Sequence, residues 1–166
     1  MSDIYSKALL TKQVELNIVY IGNNIHNTLQ NKISSLYEGK CIEEGFVKKK
    51  STKLLTFSAG LIQGNMVRFC VVFECLLCLP VEGMKVKCVV KNVTKAGIRA
   101  EIDEDPTPMV VFISRDHHYK SEMFANISDN DIIDVEIIGQ RHELNDSYVS
   151  VIAELSDPSN KSVEAN

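Results

Sequence analysis

The chain has 166 residues and a mass of 18.6 kDa, which suits one ordinary domain or two small ones. Hydrophobic residues make up 45% and charged residues 24%, and this composition excludes a largely disordered chain. No apolar run reaches the roughly 20 residues of a membrane-spanning helix. The first ten residues lack the basic start and the apolar stretch of a secretory signal. We therefore expect an intracellular protein without a membrane segment.

The formal net charge of -4 conceals an uneven distribution along the sequence. Residues 82–99 carry five basic side chains against Glu82 alone, whereas the chain after this segment is strongly acidic. Nucleic-acid contact depends on Lys and Arg, so any such contact is expected within this basic segment. The acidic total does not exclude it.

The first half of the sequence predicts a sheet packed against one helix. A helix over residues 23–37 would begin at Asn23 or Asn24 and end at Gly39. Its apolar stripe would consist of Ile25, Leu29, Ile33 and Leu36. Runs of apolar and β-branched residues predict strands at Ile4–Leu10, Val14–Tyr20, Lys40–Val47, Lys53–Phe57 and Met66–Leu79.

The second half predicts a small barrel. Pro80 and Gly83 interrupt the chain, and alternating apolar and polar residues then indicate short strands near Lys85–Lys91, Gly97–Ile102, Met109–Ile113, Asp131–Ile138 and Tyr148–Leu155. Five strands with a longer insertion after the third are typical of an oligonucleotide-binding (OB) barrel. The expected fold class is α+β, with a sheet-plus-helix domain over residues 1–80, a five-stranded OB-fold domain over 81–155 and a polar tail over 156–166.

A basic stripe on the barrel is the main candidate binding site. Alternation along the first barrel strand places its lysines opposite the apolar core residues, on the face that binds oligonucleotides in OB barrels. The expected RNA-binding residues are Lys85, Lys87, Lys91, Lys95 and Arg99. The alternative is a lysine-rich exterior that only keeps an edge soluble. Stacking aromatics are scarce. The candidates are Phe112 and Tyr119, and a core position is an equal alternative for Phe112.

Metal and catalytic motifs are weak in this sequence. Cys75 and Cys78 form a C-x-x-C pair inside an apolar run, which favours two core cysteines over zinc ligands. The pair His117-His118 and the acidic run Asp103-Glu104-Asp105 are interpreted as a solvated loop and a turn. Lys48-Lys49-Lys50 is either a second phosphate-facing patch or a solvated turn. Phosphate-binding loops, nucleophile elbows and zinc-protease motifs are missing, so we expect no metal, no cofactor and no catalytic residue.

Several short strings, in order and at near-family spacing, resemble one known family over roughly residues 4–155. They are Tyr37-Glu38-Gly39-Lys40-Cys41 with Gly45-Phe46-Val47, then Val71-Val72-Phe73 leading to Pro80 and Gly83, then Val89–Ile102 with Phe112-Ile113-Ser114. The chain resembles the seventh subunit of eukaryotic nuclear RNA polymerases and its archaeal counterpart. The resemblance implies a tip domain and an RNA-binding OB barrel that form a stalk with a smaller partner subunit.

The resemblance also implies a docking segment. Ser58–Gly64 is similar to the tip loop that enters the polymerase core, with Gly60 and Gly64 permitting turns and Leu61 and Ile62 inserting. The implied partners are the large polymerase subunits, the smaller stalk subunit and single-stranded RNA. Ile98 and Arg99 replace aromatics that the family often has, which makes the chain a divergent member. Its high Asn, Ile and Lys usage suits a large DNA virus or another AT-rich genome.

The expected function is that of a non-catalytic stalk subunit of a DNA-directed RNA polymerase, acting in the nucleus or, for a viral protein, in the cytoplasm or virion. A free-standing OB-fold RNA-binding protein, such as a translation or RNA-decay factor, is one alternative. A small hydrolase that uses Asp103–Asp105 and His117-His118 is another.

Overall fold

The computed structural model describes residues 4–115 and 126–156. The chain divides into two compact units, one formed by Met1–Leu79 with Glu143–Ser147 and the other by Pro80–His142 and Tyr148–Asn166. His117, His118, Tyr119 and the tail from residue 157 onward lie outside the described residues. The predicted α+β class is confirmed, because the described residues form a sheet, one α-helix and a closed five-stranded barrel.

The first unit is built around one long strand. Its elements are β1 (Ser6–Asn17), α1 (Ile25–Tyr37), β2 (Cys41–Ile42), β3 (Gly45–Val47), β4 (Lys53–Phe57), β5 (Leu61–Gln63) and β6 (Met66–Cys78). β6 pairs with β1 on one edge, from Ser6 opposite Leu77 to Asn17 opposite Met66. On its other edge β6 pairs in turn with β5, β4 and β3. All of these pairings are antiparallel.

Helix α1 covers one face of this sheet. Leu29 and Ile33 are fully buried, and they pack in one core with Phe73. The apolar stripe predicted for this helix was wrong at its last position, because Leu36 is 37% exposed. Tyr37 takes that place, and its ring stacks on the Phe73 ring with 5.5 Å between the ring centroids. The four-residue spacing that joins Leu29 to Ile33 continues to residue 37, so the tyrosine stays on the buried face.

A polar strip along α1 fixes the helix to the start of β4. The Gln30 side chain accepts a hydrogen bond from the Leu54 backbone N–H at 2.7 Å and donates one to the Thr52 carbonyl at 3.2 Å. Glu38, two turns later, accepts hydrogen bonds from the Thr52 hydroxyl and backbone N–H. These contacts satisfy buried polar groups that an apolar interface would leave unpaired.

The two strands predicted at Ile4–Leu10 and Val14–Tyr20 are one continuous strand, β1, followed by a 3-10 turn at Ile18–Tyr20. The polar residues between the two predicted segments, Thr11, Lys12 and Gln13, therefore lie within an edge strand of the sheet. Lys12 is partly buried and donates to the Glu44 carboxylate at 2.8 Å. Burial is the largest single influence on the pKa of Glu44 and acts to raise it, but the hydrogen bond and the charge of Lys12, together with a backbone hydrogen bond, outweigh burial and leave that pKa lowered.

The second unit is the closed barrel, in the order β10-β11-β9-β8-β7. Its strands are β7 (Lys85–Val93), β8 (Gly97–Glu101), β9 (Met109–Ser114), β10 (Ile132–Arg141) and β11 (Val149–Leu155). Alternate residues such as Val86, Cys88 and Val90 fill the interior, as their spacing predicted. Within the described ranges, no helix is long and apolar enough to cross a membrane.

Candidate functional site

The basic stripe predicted on the barrel lies on the exterior but falls into two parts. Lys85 and Lys87 are exposed on β7, and the register with β10 places them opposite Glu136 and Asp134. The Cβ atoms of residues directly opposite each other on antiparallel strands lie about 5 Å apart. The negative charges of Glu136 and Asp134 therefore offset the positive charges of Lys85 and Lys87.

The other half lies where β7 pairs with β8. A β-bulge between Val90 and Asn92 leaves the exposed Lys91 without a counterpart on β8. Arg99 is exposed on β8, and its guanidinium lies 3.9 Å from the carboxylate of Glu101. Lys95 is exposed in the turn between the two strands. The structure thus places all five predicted residues on the surface, with Glu136 and Asp134 opposite Lys85 and Lys87 and with Glu101 beside Arg99.

An exposed aromatic side chain adjoins the second half of the stripe. Phe112 on β9 stands opposite Arg99 and is 41% exposed, and Ile152 on β11 stands opposite Phe112 and is 51% exposed. The Phe112 ring lies over Gly97, since a methyl group built on that glycine would be 3.0 Å from Cζ of the ring. Phe112 was one of the two stacking candidates named from the sequence, and the structure places its side chain on the exterior of the barrel.

The predicted docking segment Ser58–Gly64 contains a strand that the sequence did not reveal. β5 pairs with β6, with Leu61 opposite Arg68, and Gly64 closes the turn with a φ of +64°. Leu61 is 58% exposed and Ile62 is 66% exposed, so both remain on the surface despite the pairing. The strand was missed because its three residues are flanked by Gly60 and Gly64, a pattern typical of a loop.

Sequence reasoning also missed an apolar turn beside this segment. Ile18, Val19 and Tyr20 are all exposed, and the backbone N–H of Ile18 donates to the carbonyl of Asn65 at 2.9 Å. We call these three residues together with Leu61 and Ile62 the apolar tip. Four consecutive apolar residues, 18–21, fit no strand alternation and were the available signal.

Comparison with known proteins bears on the identity of the chain. No family model matches it. A protein of Acanthamoeba polyphaga mimivirus, provisionally named as a DNA-directed RNA polymerase subunit, is 26% identical over 93% of this chain and 83% of its own length. RNA polymerase II subunit RPB7 of Glycine max and subunit 7 of Arabidopsis thaliana are each 30% identical over 64% of this chain. The chain is therefore similar in sequence to subunits of DNA-directed RNA polymerases, among them the seventh subunit of two plants.

The matches differ in the length that they cover. The aligned part spans 59% of the soybean subunit and 60% of the Arabidopsis subunit, whereas it spans 83% of the mimivirus protein. The resemblance first drawn from short strings is thereby confirmed, and the viral relative extends over both units of the chain.

Four of the five cysteines are core residues, and Cys70 is exposed. Cys75 and Cys78 are buried, and burial raises the pKa of Cys75 to about 11. The Cys88 thiol inside the barrel has its pKa raised to about 12 for the same reason. Among residues 4–115 and 126–156, no three His, Cys, Asp or Glu side chains are grouped so that they could hold a metal ion. Cysteines buried in an apolar core in this way are typically unreactive.

This burial predicts how the five cysteines react with Ellman's reagent. In the folded protein at pH 8, we expect one thiol per chain to react within minutes, because Cys70 is exposed and the other four are buried. In 6 M guanidinium all five should react. A Cys70→Ser variant provides the control and should show no fast reaction; rapid reaction of two or more native thiols would contradict the assignment.

Proposed function

We propose that the chain is a non-catalytic stalk subunit of a DNA-directed RNA polymerase, which docks on the polymerase core through its first unit and contacts emerging RNA through its barrel. The match to the mimivirus polymerase subunit carries this proposal, because it extends over 93% of the chain and thus includes both units. Such a subunit would work inside the cell or virion where the polymerase transcribes.

The apolar tip supports the docking part of the proposal. Exposed apolar side chains that lie together are typical of interaction surfaces. Leu61 and Ile62 belong to the short strand β5, which lies between Gly60 and Gly64. The backbone N–H of Ile18 donates a hydrogen bond to Asn65 in the turn that follows this strand. A groove of the large subunits is the proposed site for these side chains, with a smaller stalk subunit bound to the same unit.

Affinity purification of the tagged chain tests the proposal. We expect mass spectrometry to recover the two largest polymerase subunits and a small stalk partner with the wild-type chain. With the double variant Leu61→Asp, Ile62→Asp, the recovery of polymerase subunits should fall at least ten-fold, because it is costly to bury two charges in an apolar groove. Leu144→Asp, at another exposed leucine, is the matched control and should retain full recovery.

The outcomes separate the parts of the proposal. A wild-type chain that recovers RNA but no large polymerase subunits would be a free-standing RNA-binding protein, and the stalk role would be wrong. Full recovery with the double variant would leave the subunit role intact but place the docking surface elsewhere.

A further inference from the structure

We propose that two copies of this chain pair through the open edge of β1, strand against strand, around a two-fold axis at Thr11. The sheet of the first unit would then continue from one copy into the second. This pairing goes beyond the proposed function, since neither a polymerase nor RNA takes part in it. The backbone of β1 and the order of its charges carry the proposal.

Strand β1 lies at the edge of the sheet of the first unit. It pairs with β6 on one side, and within the described part of the chain no strand pairs with it on the other. Edge strands are usually kept short, or are interrupted by a bulge or a proline, which limits their pairing with other chains. β1 has 12 residues, contains no proline and pairs with β6 without a bulge. Its open edge is therefore long and regular enough to accept another strand.

The hydrogen bonds of β6 show which backbone groups of β1 point to this open edge. The Cys70 carbonyl accepts a hydrogen bond from the Ser58 N–H at 2.9 Å, and the Cys70 N–H donates to the Ser58 hydroxyl at 3.0 Å. Because Cys70 bonds on the side away from β1, the residue opposite it, Gln13, also directs its N–H and carbonyl away from β6. Alternation extends this orientation to five exposed residues: Lys7, Leu9, Thr11, Gln13 and Glu15.

The order of charges along β1 selects one register for the pair. With Thr11 opposite Thr11 of the second copy, Lys7 stands opposite Glu15 of the second copy, and Glu15 stands opposite its Lys7. Each residue that directs its backbone outward then faces another of the same set, so the outward N–H and carbonyl groups satisfy one another. A shift of the strands in either direction would separate both ion pairs.

The charges on β6 extend this match into a longer row. The Arg68 guanidinium lies 3.0 Å from the Glu15 carboxylate, and the Lys7 ammonium lies 3.3 Å from the Glu74 carboxylate. In the paired copies, Arg68 and Glu15 of one copy would continue into Lys7 and Glu74 of the second, so the signs alternate along the row. Two-fold symmetry produces this row twice. Opposite charges across antiparallel strands are favourable, and a network contributes more than an isolated exposed pair.

The symmetry of this edge favours a second copy over an unrelated strand. A two-fold contact needs a surface that complements itself. Lys7 and Glu15 have opposite charges and lie at equal distances from Thr11, which an unrelated segment would not require. Lys12, the one charged residue on the other face of β1, is already bound to Glu44 at 2.8 Å and so does not oppose the pairing.

Sedimentation velocity with the full chain, at concentrations from about 1 to 100 µM, tests the proposal. We expect the wild type to shift from a mass of 18.6 kDa toward twice that value as the concentration rises. Lys7→Glu and Glu15→Lys each place like charges at both symmetric contacts, and each should raise the dimer Kd about ten-fold. Lys50→Glu, the matched reversal of an exposed lysine in the turn before β4, should leave the Kd unchanged.

A mixture of the two charge variants tests the register without relying on loss of pairing. One chain then carries acidic residues at positions 7 and 15 and the other carries basic ones, so opposite charges meet again in a mixed pair. We expect Lys7→Glu and Glu15→Lys together to form a dimer with a Kd near that of the wild type. A recovered dimer also shows that both variants fold.

A proline at the centre of the edge tests the backbone part. Thr11→Pro removes an N–H that points away from β6, so it should abolish the dimer while far-UV circular dichroism stays that of the wild type. Thr11→Val keeps this N–H and should retain the dimer.

The outcomes decide between the possible partners of this edge. A wild-type chain that stays at the monomer mass would overturn the proposal, and so would the absence of a mixed dimer. If the wild type were monomeric and Thr11→Pro lowered the recovery of a small stalk subunit in affinity purification, the edge would bind that subunit and the inference would be wrong. Recovery of the large polymerase subunits does not enter these results, so the stalk role stands or fails separately.

Discussion

Replacement of Phe73 by alanine is expected to lower the free energy of unfolding of the first unit by about 4 kcal/mol, within the range for buried phenylalanines. Phe73 lies in the middle of β6, is fully buried and receives the stacked ring of Tyr37. The alanine would leave a cavity between the sheet and α1, and rigid strand pairing on both sides of β6 limits how far that cavity can close. Urea denaturation followed by far-UV circular dichroism measures the change.

Leu9→Ala is the control for this prediction. Leu9 lies on the exposed face of β1, opposite Glu74 of the same central strand. Its truncation should cost less than about 1 kcal/mol, as expected for an exposed side chain. Equal losses for the two variants would mean that the core does not lie between the helix and the sheet.

Gly97→Ala is expected to destabilise the barrel by about 2 kcal/mol, which is the usual cost of forcing an extra methyl group into a packed site. The new Cβ would be 2.2 Å from the carbonyl oxygen of Ile113, a backbone atom that no side-chain rotation can move. β8 and β9 would have to separate, and the ring of Phe112 would shift with them. We therefore also expect weaker binding of oligouridine.

The barrel offers a matched control in Gly139→Ala. Gly139 is a strand glycine in β10 whose added Cβ would meet nothing within 4 Å. This variant should change the free energy of unfolding by less than about 0.5 kcal/mol and leave the oligouridine Kd unchanged. A Gly97→Ala barrel as stable as the wild type would show that β8 and β9 are not so closely packed.

The barrel strands could be predicted because burial alternates along each of them. The predicted strand at Met109–Ile113 differs from β9 by one residue, and the exposure of Lys85 and Lys87 follows from the same alternation. Their acidic neighbours could not be predicted. Asp134 and Glu136 are brought opposite β7 by a pairing between strands distant in sequence, and a local pattern contains no information about cross-strand register.

The apolar tip in the first unit also depends on strand pairing that the sequence does not reveal. Leu61 and Ile62 stood out as an apolar pair between glycines, but Ile18 reaches the same turn only through the pairing of β1 with β6. Residues 18–20 were therefore interpreted as the end of a strand, since their sequence is apolar and β-branched. Ile18 lies beside the turn between β5 and β6 only because Asn17 pairs with Met66, a residue far along the chain. A local sequence pattern does not reveal such a pairing.

The pairing of β1 with β6 also determines an order of events during synthesis. β1 precedes the helix and four short strands in the chain, yet its partner residues, Met66–Leu77, are made only after all of them. The hairpin of β5 with β6 closes locally and should form quickly, whereas β1 must wait for a distant partner. Until β6 leaves the ribosome, Val14 and Leu16 have no core to enter, and exposed apolar side chains of this kind are prone to aggregation.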